Sequence, residues 1–310
     1  MGILGLKKLI ANTASNALKK ITVKSLAGLR IGFDASIDVY QLYNIGVKHK
    51  IMGTADKPIN HIIGTFHRVI KYLTLLIKPV YIFDGSPPKI KAGVIAARRG
   101  LHQSGRAVHV PYTAFNDVLK LLQLMKIPTV QAVCEAESHA AVMSALGHID
   151  AVASEDMDTL TFGATRQIIG LDCTATSVIS VTLEDTLQGM SLTRAQFIDL
   201  CILLGCDYTT ATLPRIGPKR GLALIRKHST IENILVAESI TPPEGFTYIE
   251  ARREFNAPLV DVAAIVNLDK VLTYTEIEID AISNYLQDNG VPLSRCKAGL
   301  DKLRKLNIVG

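Results

Sequence analysis

Three acids fall within four residues in the stretch "AVASEDMDTLTFG": Glu155, Asp156 and Asp158. Carboxylates this close repel one another, and low-dielectric surroundings raise that penalty. Such a stretch is either a solvated acidic loop or half of a site for a divalent cation. The pairing of an apolar run with an acid recurs along the chain. "LRIGFDAS" ends at Asp34, "KPVYIFDG" ends at Asp84, and "PTVQAVCEAESHAAVMSALG" brings Glu135 and Glu137 to a helix start, where the helix dipole favours negative charge. Oxygen donors without clustered Cys or His suit hard ions, Mg²⁺ or Mn²⁺, over zinc. Two such ions about 4 Å apart can activate water and stabilise the leaving oxygen in phosphodiester hydrolysis. Two ions also call for more carboxylates than one. Asp156 and Asp158, at i and i+2, point the same way if the segment is extended. A flanking cation such as Lys91 or Arg98 could stabilise the charge of a reacting phosphate; the plainer account makes both members of a basic face.

The elements that must position these acids alternate between strand and helix. Short apolar runs before Asp34, Asp84 and Asp156 read as strands, and "HIIGTFHRVIKYLTLLI" and "TAFNDVLKLLQLMKI" as helices, the latter stopped by Pro128. That alternation predicts an α/β fold with a mainly parallel sheet covered on both faces. In such sheets sites lie beyond the carboxyl ends of the strands, so these acids are expected to converge on one edge. From about residue 190 the chain reads as helical: "LTRAQFIDLCILLGCDY", which carries Asp207, and then "LPRIGPKRGLALIRKHSTIENIL" in two pieces. "IGPK" before a helix suits a backbone hairpin whose N–H groups, with Lys219 and Arg220, grip a phosphate. Residues 241–258 read as a loop wrapping one helix, and the chain closes on the helix "LSRCKAGLDKLRKL".

Composition sets the partner class. The 310 residues are 48% hydrophobic and 20% charged, and no apolar run approaches the roughly 20 residues that span a bilayer. The net charge of +6 is unevenly spread. No acid lies between Asp84 and Asp117, where Lys89, Lys91, Arg98, Arg99 and Arg106 fall, nor between Asp207 and Glu232, nor before Asp34. Basic blocks around concentrated acids suggest a polyanion-binding surface with an acidic centre, although each block alone could be a solvated face. Five scattered cysteines without a CxxC pair argue against structural zinc and a disulfide framework and favour a reducing compartment, nuclear or cytoplasmic.

These segments resemble the structure-specific 5′-nuclease family, and most closely the eukaryotic and archaeal flap endonucleases. The resemblance runs through "MGILGLKKLI", "FDASIDVYQ", "IKPVYIFDGSPP", "CEAESHAAV", "SEDMDTLTFG", "FIDLCILLGCDY" and "RIGPKRGLALI", in order and over nearly the whole chain. It implies one nuclease domain, with an N-terminal region 1–109, an internal region 110–240 holding a helix-hairpin-helix at about 199–235, and a wrapping segment 241–310. It implies that Asp34, Asp84, Glu135, Glu137, Asp156, Asp158 and Asp207 hold two Mg²⁺ ions, Mn²⁺ being a substitute, with Glu155 outside the set. Neutralising seven of the 28 acids would leave 34 basic against 21 acidic side chains. It further implies that Lys91 and Arg98 face the scissile phosphate, that Tyr40 stacks on a base, and that Gly2 packs beside the site. Arg68 and Lys71 would contact DNA backbone, and Gly217 and Lys219 would grip the uncut strand around a K⁺ ion. A Tyr on an apolar helix can equally be core, and Arg68 and Lys71 can equally form a solvated face.

The chain also departs from that family. Two helices that form an arch follow the Arg98 position in the family. Here "RGLHQSGRAVHVP", with Gly100, Gly105 and Pro111, predicts a short basic loop instead. Arg215 stands where the first Gly of a G-I-G hairpin is usual, which puts the K⁺ site in question. The end "LRKLNIVG" has no glutamine–aromatic clamp-binding tail, so a monomer without a sliding clamp at its C-terminus is expected, and a compact viral form would fit that economy. The function expected is a 5′ flap endonuclease and 5′–3′ exonuclease of DNA replication or repair. The alternatives are a gap endonuclease or exonuclease without threading, a branch-binding protein without catalysis, and an aspartyl phosphatase read from "DMDTL". The last leaves Asp34, Asp84 and Asp207 unexplained.

Overall fold

A computed structural model describes residues 2–53, 56–91, 109–257 and 277–306 of the chain. Strands β1 (Leu18–Thr22), β2 (Arg30–Asp34), β3 (Lys78–Phe83), β4 (Thr129–Gln131), β5 (Ala151–Ala153), β6 (Arg166–Ile169) and β7 (Ser177–Thr182) form one sheet in the order β1-β7-β6-β5-β2-β3-β4. Neighbours from β6 through β5, β2 and β3 to β4 are parallel, while β7 runs antiparallel to both β6 and β1. The sheet is therefore mainly parallel, as the strand–helix alternation predicts. The connections of its parallel strands put the carboxyl ends of β2, β3, β4 and β5 on one edge.

In chain order the helices begin with α1 (Leu6–Thr13), α2 (Ala35–Lys48), α3 (Asn60–Thr74), α4 (Tyr112–Leu124) and α5 (Ala136–Ala145). They continue with α6 (Asp158–Phe162), α7 (Leu183–Met190), α8 (Arg194–Leu204), α9 (Pro218–His228), α10 (Ile231–Ala237), α11 (Tyr248–Asn256), α12 (Ile279–Asp288) and α13 (Leu293–Lys305). Two cores sandwich the sheet. β3 shows why its sequence is apolar without alternation: Val80 and Ile82 enter the core that holds α1, α5, α8 and α9. Tyr81 and Phe83 enter the other, with α2, α3, α4 and α13. A strand buried on both faces has no polar side to show.

Two local readings are corrected by the structure. β5 ends at Ala153, three residues before Asp156, because the Ser154 hydroxyl accepts the Asp156 N–H at 3.0 Å and turns the chain out of the sheet. Asp158 then opens α6, so Asp156 and Asp158 are not neighbours on an extended segment.

Candidate metal centre and nucleic-acid interface

Each acid is delivered by an element end. Asp34 closes β2 and caps α2, its Oδ1 accepting the Ile37 N–H at 2.9 Å. Asp84 lies just past β3; its Oδ1 accepts the Ala136 N–H at the start of α5, and its own N–H donates to Ser36 Oγ at 3.1 Å. Glu135 caps α5 and Glu137 sits in its first turn. Asp156 Oδ1 accepts the Asp158 N–H at 3.2 Å, so a turn, rather than a strand's pleat, brings these two together. Carboxylate oxygens of Glu137, Asp156 and Asp158 lie within 4.8 Å of one another. Glu155 accepts the Gly170 N–H at 2.7 Å.

The electrostatics are those of a site short of positive charge. Burial, and next the charge of Asp84, pushes Asp34 up to about 7. Burial and then Asp156 and Asp158 lift Glu137 well above the carboxylate range. Burial, followed by Asp156 and Asp207, does the same to Asp158, which is only 2% exposed. Its Oδ1 is buried with no hydrogen-bond partner among the described residues. A buried, orphaned carboxylate oxygen is a costly arrangement unless a cation completes it. The all-oxygen donor set fits a hard divalent ion.

Lys91 supplies positive charge at the other flank, from the 3₁₀ turn Lys89–Lys91. Its ammonium pairs with Glu135 Oε1, stands 3.6 Å from Asp207 Oδ2, and lies 4.9 Å from the centre of the Tyr208 ring. Burial pulls this ammonium down, but Glu135 and Asp207 outweigh it and hold it above its ordinary value. Gly2 closes the site from the N-terminal side with φ +67°; a Cβ there would fall 1.5 Å from Asp156 Oδ1. Only glycine tolerates both that backbone and that approach.

Several side chains at the site carry no signal of their own in the sequence. Ser154 and Thr159 donate to Glu137 Oε1 at 3.0 and 2.6 Å. Tyr208 donates to Glu135 Oε2 at 2.7 Å. Hydroxyls are too common to single out; Tyr208 alone had a pointer, its place directly after Asp207.

The candidate DNA contacts divide. Tyr40 is 49% exposed on α2, so it is not core, and it meets the Phe115 ring edge-on at 5.4 Å. Lys71, in the last turn of α3, is half-buried. Arg68 is not on a solvated face: it forms a largely buried ion pair with Asp38, one turn beyond Asp34 on α2. Arg68 and Asp38 line a cleft of 540 Å³ with Asp34, Glu155 and Asp156. In the hairpin, Gly217 caps α9 and Lys219 is exposed, whereas Arg220 donates to Glu238 Oε2 at 2.7 Å. Arg215 adopts φ +61°, the left-handed region that glycine enters freely, which is why glycine suits that position. Arg98 and most of the shortened segment after it lie outside the described residues.

Comparison with known proteins gives this geometry a lineage. Residues 1–105 match the XPG N-terminal domain and residues 126–207 the XPG I-region. Flap endonuclease 1 of Mycosarcoma maydis is 35% identical over 340 residues, covering 98% of this chain and 89% of that protein. Flap endonuclease 1 of Danio rerio is 40% identical over 300 residues, covering 86% of this chain and 78% of that protein. Among solved structures, the catalytic core of Rad2 in complex with DNA substrate shares the fold, with a TM-score of 0.78 at 24% identity over 97% of this chain and 100% of that one. With relatives this similar over nearly its whole length, the chain belongs to the flap endonuclease family of metal-dependent, structure-specific 5′ nucleases.

Proposed function

We propose that this chain hydrolyses DNA phosphodiesters where single strand meets double strand, as a 5′ flap endonuclease, using two Mg²⁺ ions for which Mn²⁺ can substitute. The observation that carries this reading is the orphaned Asp158 oxygen beside Glu137 and Asp156, with Lys91 held across the site. The residues that would hold the ions are Asp34, Asp84, Glu135, Glu137, Asp156, Asp158 and Asp207. When bound, the ions supply Lewis acidity and a water nucleophile usable near neutral pH. The protein's own work is positional. The element ends and their hydroxyl and backbone donors preset the carboxylates, so that little rearrangement accompanies binding. Lys91, kept charged by Glu135 and Asp207, neutralises phosphate charge that grows in the transition state. Tyr40 offers an exposed ring for a base next to the cut.

The exposed Lys219 and the α9 N-terminus suit the backbone of the uncut strand, and a K⁺ ion there would have to tolerate the Arg215 side chain. A second reading is gap or 5′ exonuclease action without threading, supported by the short sequence "RGLHQSGRAVHVP" after Arg98, interrupted by Gly100, Gly105 and Pro111. The alignment to the Mycosarcoma maydis protein runs over 340 residues where this chain has 310, so that relative carries segments this chain lacks. The test is a 5′-labelled flap on a nicked duplex with Mg²⁺, free or blocked at its 5′ end, cut by wild type and by Asp158→Asn. Junction cleavage absent in the variant supports the nuclease reading, and cleavage that ignores the block selects the unthreaded form. Binding without product from wild type in either metal would overturn catalysis.

A further inference from the structure

Tyr112 is 78% exposed, a large ring left in solvent at the first turn of α4. It is not isolated. Its ring lies 6.4 Å from Phe115 at 29°, and Phe115 lies 5.4 Å from Tyr40, so three rings form a continuous surface track across α2 and α4. Topology places this track at the site. α4 leads into β4, which runs parallel to β3, so its first turn lies at the carboxyl edge of the sheet, where α2 also begins at Asp34. Tyr40 lies six residues along α2 from Asp34, about 9 Å at the helical rise. Ile37, on the same face and 48% exposed, leaves this stretch apolar.

We propose that Tyr112, supported by Phe115, is a second stacking platform for an unpaired base of the cleaved strand, one step beyond the base that Tyr40 receives. An exposed aromatic face suits any base, because each has a π surface, and stacking of this kind is worth about 1–3 kcal/mol per base. The track ends at the start of α4, within the stretch between Asp84 and Asp117 that carries no acid to repel a strand's phosphates. Phe115 does not stack itself; packed against Tyr40, it fixes the spacing between the two tyrosines. The platform would therefore select substrates with an unpaired extension over a plain nick. This inference rests on the flap reading above.

The test uses full-length protein and a flap carrying 2-aminopurine at successive unpaired positions, with Ca²⁺ replacing Mg²⁺ during binding. Wild type is expected to quench one unpaired position that Tyr112→Ala leaves bright and Tyr112→Phe restores. Tyr112→Ala should weaken flap binding about tenfold, with no loss on a flap whose quenched position is abasic. Because the side chain is solvent-exposed, an unchanged Tm should accompany these effects. No quenching difference between wild type and Tyr112→Ala, or equal loss on the abasic flap, overturns the platform. Wild-type flap cleavage in Mg²⁺, measured alongside, reports separately on the activity itself.

Discussion

Asp158 concentrates the physics of the site in one side chain. It is buried, its Oδ1 has no partner among the described residues, and its neighbours are acids. Asp158→Asn keeps the shape and removes the charge. Flap cleavage is expected to fall at least about a hundredfold, while the metal-free protein gains thermal stability because a repulsive buried charge is gone. Unchanged turnover together with an unchanged metal-free Tm would remove Asp158 from the acidic centre. Lys91→Ala removes the cation shared by Glu135 and Asp207, proposed above to act on the phosphate, without removing a carboxylate. The expected result is a kcat loss of about 10²–10³-fold with KM nearly unchanged, read from single-turnover cleavage. Gly2→Ala adds one carbon where there is no room, against Asp156 Oδ1. It should weaken metal activation, seen as a higher Mg²⁺ concentration at half-maximal rate; a variant activated like wild type would show that Gly2 does not shape the site.

At the scale of elements, α11 is tied down by charge. Arg252 on α11 donates to Asp199 on α8 at 2.7 and 2.9 Å and to Glu232 on α10 at 2.8 and 3.0 Å. Asp199, 3% exposed, also accepts the Ile231 N–H at 3.1 Å. Arg252→Ala would strand a buried carboxylate, a loss of about 2–3 kcal/mol given Arg252's partial exposure. Urea unfolding should show the midpoint falling; a midpoint within error of wild type would mean that α11 holds without this clamp. Legibility also varied by element. β2 and β3 were readable because burial on both faces demands unbroken apolar runs. β1, β6 and β7 offer no such run. β1 is a sheet-edge strand bearing Lys19 and Lys20, charges that discourage edge pairing and look in sequence like an ordinary basic block. β7, "SVISVT", buries Val178 in one core and Val181 in the other, so its apolar residues fall on both faces and leave no period-two alternation to read.

Across the whole molecule, acids and bases segregate, and both halves have measurable consequences. Asp34, Glu137 and Asp158 have folded-state pKa values above those of free carboxylates. From about pH 4 upward, through about pH 7 for Asp34, the folded chain therefore binds more protons than the unfolded one. Stability from these groups is full below that window and is lost as pH rises through it. The metal-free Tm should drop by at least about 3 °C from pH 5 to pH 8, and Mg²⁺ should remove most of that slope; a flat profile in chelator would mean the acids are not electrostatically crowded. The basic remainder should make flap binding fall steeply with salt. What the sequence by itself determined was the set of acids at element ends and the parallel α/β frame, because each follows from local pattern and from the edge rule for such sheets. Only the tertiary structure decided which charges are spent internally. Arg68 pairs with Asp38 and Arg220 with Glu238, while Lys91 is shared by Glu135 and Asp207. Partners brought together from separate elements leave no mark of spacing in the chain, since ion pairing depends on distance in space.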